Sequence, residues 1–220
     1  MAKGLGTVVM AMVIVTTTPE WPAWASSYQG VVIHVGKNAD TVERNAAQLL
    51  SHRLTENGPI TVRMVTEGDG TPHEPAALII LLGVPSHHGE ISAVFTKEHI
   101  PPLTPLDPGQ EGFLLRSFSQ GHEMAVLAAG IDDRGVVYAV GEILRQAVFN
   151  GDSVEFPANV AMRTAPAFEV RGTQIGQSSV MLNKAKARQW TQAEHNHAMA
   201  DIILAGANTI AVSEGTGRVR

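Results

Sequence analysis

Residues 132–148 (DDRGVVYAVGEILRQAV) form the segment from which the fold of this chain is best worked out. Asp132 or Asp133 can cap the amino terminus of a helix, because a carboxylate there accepts hydrogen bonds from free backbone N–H groups. The pair Asn150 and Gly151 can end the helix, because both tolerate the left-handed backbone found at helix ends. Between them, apolar residues recur at helical spacing, at Val136, Val140, Ile143, Leu144 and Val148. The pattern predicts an amphipathic helix with one buried face.

The chain before this helix predicts strands and one earlier helix. Asp40 and Glu43 have the spacing of a capping box at the start of that helix, which extends to Leu54. A Pro- and His-rich stretch, residues 85–109, is expected to cross the surface irregularly, with His87 and His88 in solvent. The predicted strands span residues 31–35, 60–67, 78–82, 113–118 and 124–129. Together these elements predict a two-layer α+β domain, a mainly antiparallel sheet with two helices on one face.

The chain after residue 151 changes in character. Residues 152–167 contain two prolines and are expected to be a linker. Residues 168–172 (FEVRG) predict a strand, Thr191 with Glu194 predicts a capped helix, and residues 208–212 (NTIAV) predict a second strand. Such a strand–helix–strand unit pairs its strands in parallel. A complete (β/α)8 barrel needs about 250 residues, so residues 168–220 predict an incomplete start of a TIM barrel.

The amino terminus has the features of an export signal. Lys3 precedes an apolar core at residues 8–15, and residues 23–25 (AWA) offer the small side chains that signal peptidase accepts. The alternatives are a buried first strand and an uncleaved anchor. The pattern predicts a signal peptide at residues 1–25, a secreted or periplasmic protein, and no membrane span after signal removal. Net charge is −5, and the 16 Lys and Arg are scattered, which argues against nucleic-acid binding.

Three motifs resemble glycoside hydrolases. Residues 132–139 (DDRGVVYA) resemble the D-x-R-G-x-x-Y-A/G segment in the small N-terminal domain of family 20 β-hexosaminidases and α-glucuronidases. Residues 166–172 (PAFEVRG) resemble the first barrel strand of the family 20 enzymes, and residues 206–210 (GANTI) resemble the entry to the second strand. The resemblance implies a glycoside-hydrolase accessory domain at 26–151, a linker at 152–167 and the beginning of the catalytic barrel at 168–220.

The same resemblance implies function and site residues. It implies a glycan substrate and no cofactor, with Arg171 contacting sugar hydroxyls and Glu214 at the same mouth. The alternatives are a structural salt bridge for Arg171 and a solvated tail for Glu214. The family's catalytic acids lie on a later strand, so no residue here is predicted to be catalytic, the rest of the barrel is missing, and the chain alone is expected to be inactive.

Other candidate residues are better explained by structure than by chemistry. Asp132, Asp133 and Arg134 are predicted to provide the N-cap of the helix and an ion pair that holds the helix to the sheet. Tyr138 is predicted to pack within the domain. His195 and His197 diverge on a helix, so no metal site is predicted. A non-catalytic carbohydrate-binding or protein-interaction module remains the alternative function, although aromatic residues make up only 5% of the chain.

Overall fold

A computed structural model describes residues 25–69, 77–120, 123–175 and 191–212. The signal peptide predicted at residues 1–25 therefore lies almost entirely outside the described residues, and that prediction stays open. The helices are α1 (Thr41–Glu56), α2 (Gly89–Lys97), α3 (Asp133–Gln146) and α4 (Gln192–Leu204). Among the described residues no helix is long and apolar enough to cross a membrane.

Within the described residues the strands fall into three sheets. The largest has six strands in the order β3-β2-β4-β6-β5-β9, a second has the order β1-β8-β7, and β10 pairs with β11. Their bounds are β1 (Ala25–Tyr28), β2 (Gly30–Val35), β3 (Thr61–Thr66), β4 (Ala77–Gly83), β5 (Phe113–Gln120), β6 (Glu123–Gly130), β7 (Val148–Asn150), β8 (Ser153–Pro157), β9 (Ala161–Thr164), β10 (Gly172–Ile175) and β11 (Thr209–Val212).

The α+β class is confirmed, but the main sheet is mixed rather than mainly antiparallel. Strand β2 pairs in parallel with β3 and β4, β4 pairs in parallel with β6, and only β5 brings antiparallel pairs, with β6 and β9. For β2 and β3 the reason is the connection through α1, since a strand that returns to the sheet through a helix lies parallel to the strand before it.

Both faces of the central sheet are covered. Leu78, Ile80 and Leu82 of β4 point into one hydrophobic core with α1 and α3, the two helices predicted on one face. Ile79 and Leu81 point the other way, into a second core that contains Ile91 and Phe95 of α2. Helix α2 lies in the stretch predicted to be irregular. The helix is only nine residues long, and the side chain of its N-cap residue, His88, makes no capping hydrogen bond. The two usual signals of a helix, a long periodic pattern and a capping residue, were therefore absent from the sequence.

The segment predicted as a linker is part of the fold. Strand β8 lies between β1 and β7, and its Phe156 is fully buried. Strand β9 extends the main sheet by pairing with β5. The prolines that suggested a linker lie at the end of β8 and after β9, where a strand can lack a backbone donor.

The last unit is a parallel strand–helix–strand. Strands β10 and β11 pair in parallel, as predicted, and form a sheet separate from the six-stranded one. The strand begins at Gly172, so the expected strand at residues 168–172 is displaced toward the carboxyl terminus. Phe168 and Val170 are 75% and 71% exposed, which shows that the residues before β10 lack a sheet partner to cover them.

Candidate functional site

Arg171 lies immediately before β10 and is fixed there by its own backbone. Its N–H donates to the side-chain oxygen of Asn208 at 3.0 Å, and its carbonyl accepts from the N–H groups of Asn208 and Thr209, each at 2.9 Å. These bonds join the beginnings of the two parallel strands. Arg171 therefore occupies the amino end of the small sheet.

The guanidinium of Arg171 bonds both to the last strand–helix–strand unit and its approach, residues 168–212, and to the domain that precedes it. Its Nε donates to the carbonyl of Gly206 at 2.7 Å, and one terminal nitrogen donates to the carbonyl of Phe168. The other donates to the hydroxyl of Tyr138 at 3.0 Å and to the carboxylate of Glu111, and the group lies 5.4 Å from the centre of the Tyr138 ring. Burial lowers the pKa of Arg171, but Glu111 and Tyr138 outweigh this and raise it.

The contacts among Arg171, Glu111, Arg134 and Tyr138 form what we call the junction, and Glu111 is its central acceptor. One carboxylate oxygen pairs with Arg171 and the other pairs with Arg134. Burial raises the pKa of Glu111, but the two arginines outweigh burial and leave the pKa below its ordinary value. Sequence reasoning missed this residue, because it lies in the irregular segment before β5 and has a left-handed backbone with φ of 57°. Nothing in the sequence signals such a conformation for a glutamate.

Helix α3 positions the other half of the junction. Asp132 is its N-cap, with one oxygen accepting from the N–H of Gly135 at 2.8 Å and the other from the N–H of Glu111 at 3.0 Å. Arg134 lies in the first turn and donates to Glu111, and Tyr138 lies one turn later and accepts from Arg171. The spacing of the DDRGVVYA motif thus places three polar groups on one side of the helix.

We expect the Asp132→Ala substitution to lower the free energy of unfolding by about 1–2 kcal/mol. The change removes the helix cap, which is typically worth about 1 kcal/mol, and also an acceptor for the N–H of Glu111. Chemical denaturation measures the effect. Asp132→Asn, which keeps a capping oxygen, is the control and should lose less; equal losses for both variants would argue against the cap.

Asp133 belongs to a different group of carboxylates. Oxygen atoms of Asp40, Glu43 and Asp133 lie within 4.8 Å of one another, where α1 and α3 begin. Hydrogen bonding from the N–H of Glu43 is the main cause that lowers the pKa of Asp40, whereas burial and then the neighbouring Asp40 raise the pKa of Asp133. Asp133 is therefore protonated at a higher pH than Asp40.

This carboxylate cluster has a structural explanation. Glu43 is buried and uses both oxygens, one for the N–H of Val84 at 2.7 Å and the other for the N–H of Asp40 at 2.8 Å and for Nδ1 of His87 at 2.7 Å. The cluster thereby joins α1 to the end of β4. Oxygen ligands of this kind suit a divalent cation, but Glu43 has little capacity left to bind one.

Helix α4 docks on α1 and α3 through a buried arginine and a glycine. Arg53 of α1 donates to Asp201 at 2.8 Å and to the carbonyl of His197 at 3.1 Å. A Cβ at Gly141 would lie 2.0 Å from the carbonyl oxygen of Leu204, so only glycine permits this approach. His197 thus takes part in the interface between helices.

Of the two residues predicted to contact substrate, only Arg171 lies among the described residues. Arg171 lies at the amino end of β10, whereas ligand sites of parallel sheets and barrels lie at the carboxyl ends of strands. Its guanidinium is also engaged by four protein groups. This position favours the alternative, a structural ion pair, and substrate contact by Arg171 stays a prediction that the geometry does not support. Glu214 lies outside the described residues.

Solved structures with a similar fold are glycoside hydrolases. No protein-family model and no curated protein matches the sequence. The chain resembles a family GH115 4-O-methyl-α-glucuronidase with specificity for decorated arabinogalactans, at 15% identity and a TM-score of 0.56 over 86% of this chain. A GH20 exo-β-N-acetylglucosaminidase from Vibrio harveyi and the Flavobacterium johnsoniae chitobiase match at 12% and 15% identity, with TM-scores of 0.41 and 0.38 over 68% and 67% of this chain.

The matches cover a small part of those proteins. The chain spans 26% of the GH115 protein, 18% of the Vibrio harveyi protein and 19% of the chitobiase. At these identities the likeness concerns the fold. It agrees with the resemblance that the sequence motifs suggested, a glycoside-hydrolase N-terminal domain.

Proposed function

We propose that this chain is the N-terminal part of a secreted or periplasmic glycoside hydrolase that breaks down glycans. Residues 26–151 are the accessory domain in this proposal, and residues 168–220 begin a (β/α)8 catalytic barrel. The observation that carries the proposal is the parallel pair β10–β11, docked beside a complete α+β domain. The match to the GH115 enzyme supports it, because it extends over 86% of this chain.

The domain boundary needs one adjustment within this proposal. Strands β8 and β9 pair with the sheets of the small domain, so the domain continues to Thr164. The connection to β10 is then short, and Arg171 is its last residue. A short connection suits a rigid junction, in which the small domain sets the position of the first barrel strand.

The GH115 neighbour supports one substrate class for this proposal. We assign the parent enzyme to removal of a uronic acid from a glycan, as an α-glucuronidase does. Hydrolysis of a terminal N-acetylhexosaminide is the second candidate, which the motif at residues 166–172 favours. Either reaction needs a carboxylic acid beside the leaving oxygen, and the barrel strand that carries such acids in family 20 enzymes lies beyond the strands described here.

The test compares two proteins. One is the product of the longest reading frame that contains this chain, and the other is the 220-residue chain itself. We expect the longer protein to release a uronic acid from glucuronosylated arabinogalactan fragments, and the 220-residue chain to release nothing. Release of N-acetylglucosamine from aryl β-glycosides would instead support the second candidate. Turnover by the 220-residue chain alone contradicts the proposal, and so does a longer protein without a barrel that only binds glycans, which would favour the carbohydrate-binding module.

A further inference from the structure

The second face of the main sheet is closed by one short helix whose amino terminus rests on buried ionisable groups. Ile91 and Phe95 of α2 pack on Ile79 and Leu81 of β4, and no other described helix contributes to that core. The helix begins after His88, whose side chain makes no capping hydrogen bond. The stability of this face therefore depends on whatever holds the first turn of α2.

Glu67, at the end of β3, caps α2 from a distance. Its carboxylate accepts from the N–H groups of Gly89 and Glu90, each at 3.0 Å, and from the N–H of Lys37 at 3.2 Å. Burial raises the pKa of Glu67, but these backbone donors outweigh it and lower the pKa. A Cβ at Gly89 would lie 2.5 Å from a Glu67 oxygen, so the glycine leaves room for this cap.

His88 lies beside that cap, fully buried and incompletely bonded. Its Nε2 lies 3.3 Å from the carbonyl oxygen of His34, which can only accept, so the proton of the neutral ring is on Nε2. Its Nδ1 has no hydrogen-bond partner and lies 3.7 Å from a Glu67 oxygen. The prediction that His88 would be solvated was wrong, because its ring lies beside Gly83 and the carbonyl of His34 and the residue is 1% exposed.

We propose that protonation of His88 detaches the first turn of α2 and makes closure of the second sheet face sensitive to mild acid. A proton on Nδ1 places a charge in a fully buried ring and at a helix amino terminus, where the helix dipole is positive. It also competes with the N–H of Gly89 for the same Glu67 oxygen. The inference is independent of the proposed function.

Burial sets the direction of the effect on the pKa of His88, against the pull of the acidic groups around it. His34 and Glu90 form a pair with 2.9 Å between Nδ1 and the carboxylate, Glu67 faces the ring from β3, and Glu43 lies behind Gly83, where an added Cβ would be 3.0 Å from its oxygen. Glu67 and Glu90 favour a charged His88, but burial outweighs them and lowers its pKa. A histidine whose pKa is lower in the folded state than in the unfolded state contributes its full stability above the unfolded pKa, which is about 6.5. That contribution is lost as pH falls below about 6.5.

The neighbouring His87 has the opposite dependence. Its hydrogen bond to Glu43 is the main cause that raises its pKa. Its contribution is therefore present at low pH and lost as pH rises through the folded pKa. Because His87 fixes α1 and the end of β4, a global melting temperature would mix the two effects. A local readout on α2 is required.

The test is hydrogen exchange of the 220-residue chain between pH 7.5 and 5.5, with protection corrected for the intrinsic rate. We expect protection of residues 89–97 to fall severalfold, up to about tenfold, since one group with an unfolded pKa of about 6.5 changes an equilibrium by at most about tenfold over the one pH unit below that pKa. In His88→Gln, which keeps an N–H donor without titrating, the fall should be less than about twofold. His52→Gln, an exposed histidine of α1, should behave as wild type.

An NMR titration of the histidine rings provides a second measurement if His88→Gln does not fold. It should show His88 of the wild-type chain titrating below about 6.5 together with the amides of α2. Protection of α2 that does not change with pH, or an equal fall in wild type and His88→Gln, overturns the proposal.

Discussion

The Glu43→Ala substitution is expected to lower the free energy of unfolding by about 3–4 kcal/mol. Glu43 is 1% exposed, and its removal leaves the N–H groups of Val84 and Asp40 without their acceptor. Each buried donor left unsatisfied costs about 1–3 kcal/mol, and the deleted side chain leaves a cavity. The loss should appear in chemical denaturation of the whole chain, because Glu43 joins α1 to the central strand β4.

Two further variants make this result specific. Gln48→Ala changes an exposed residue of the same helix and should alter stability by less than about 0.5 kcal/mol. Glu43→Gln keeps the size and one acceptor, so it should lose less than Glu43→Ala. If the alanine variant at residue 43 is as stable as the one at residue 48, Glu43 does not connect the two elements as described.

Glu43 also shows how far the sequence could lead. Its capping box with Asp40 was predicted from spacing alone and is confirmed, as is the second box of Thr191 and Glu194. These are contacts between residues three apart, which any helix start brings together. The bond from Glu43 to the N–H of Val84 spans 41 residues. Its existence depends on the order of strands in the sheet, which local spacing does not determine.

The errors in the predicted fold have the same origin. The run of apolar residues at 78–82 correctly predicted a strand, and both faces of that strand are buried. The helix that covers the second face was missed, because α2 has only Ile91 and Phe95 as buried apolar residues. The parallel direction of β2, β3 and β4 was missed as well, although a helix between two strands favours it. Coverage and direction are properties of the assembled sheet.

The junction residues were predicted only in part. The DDRGVVYA motif led to Asp132, Arg134 and Tyr138, which do converge in space. Asp132 and Arg134 both bond to Glu111, whereas Tyr138 bonds to Arg171 instead. Glu111 lies in an irregular segment, and its pairing with Arg171 spans 60 residues. The motif indicated that a polar cluster exists. The carboxylate that accepts its hydrogen bonds, Glu111, lies in a loop that has no periodic pattern and therefore could not be predicted.

The Glu111→Ala substitution is expected to cost about 2–3 kcal/mol and to detach the last unit. Removing one partner from a buried ion pair costs about 3–5 kcal/mol, and the partial exposure of Glu111, 16% for the side chain, reduces this. Arg171 then keeps only its carbonyl partners and Tyr138. We expect hydrogen exchange to show α4 and β11 losing protection, while α1 and the main sheet keep theirs.

A double-mutant cycle with Arg171→Met isolates the pair. If Glu111 and Arg171 act together, the double mutant should lose less unfolding free energy than the sum of the two single mutants, by at least about 1 kcal/mol. Glu98→Ala, which removes a surface pair with Arg116 at 3.7 Å, is the control and should cost less than about 1 kcal/mol. Additive losses, or uniform loss of protection across all helices, would show that Glu111 stabilises the small domain alone. The small domain would then not fix the position of β10 through this pair, and the rigid junction proposed above would lose its main contact.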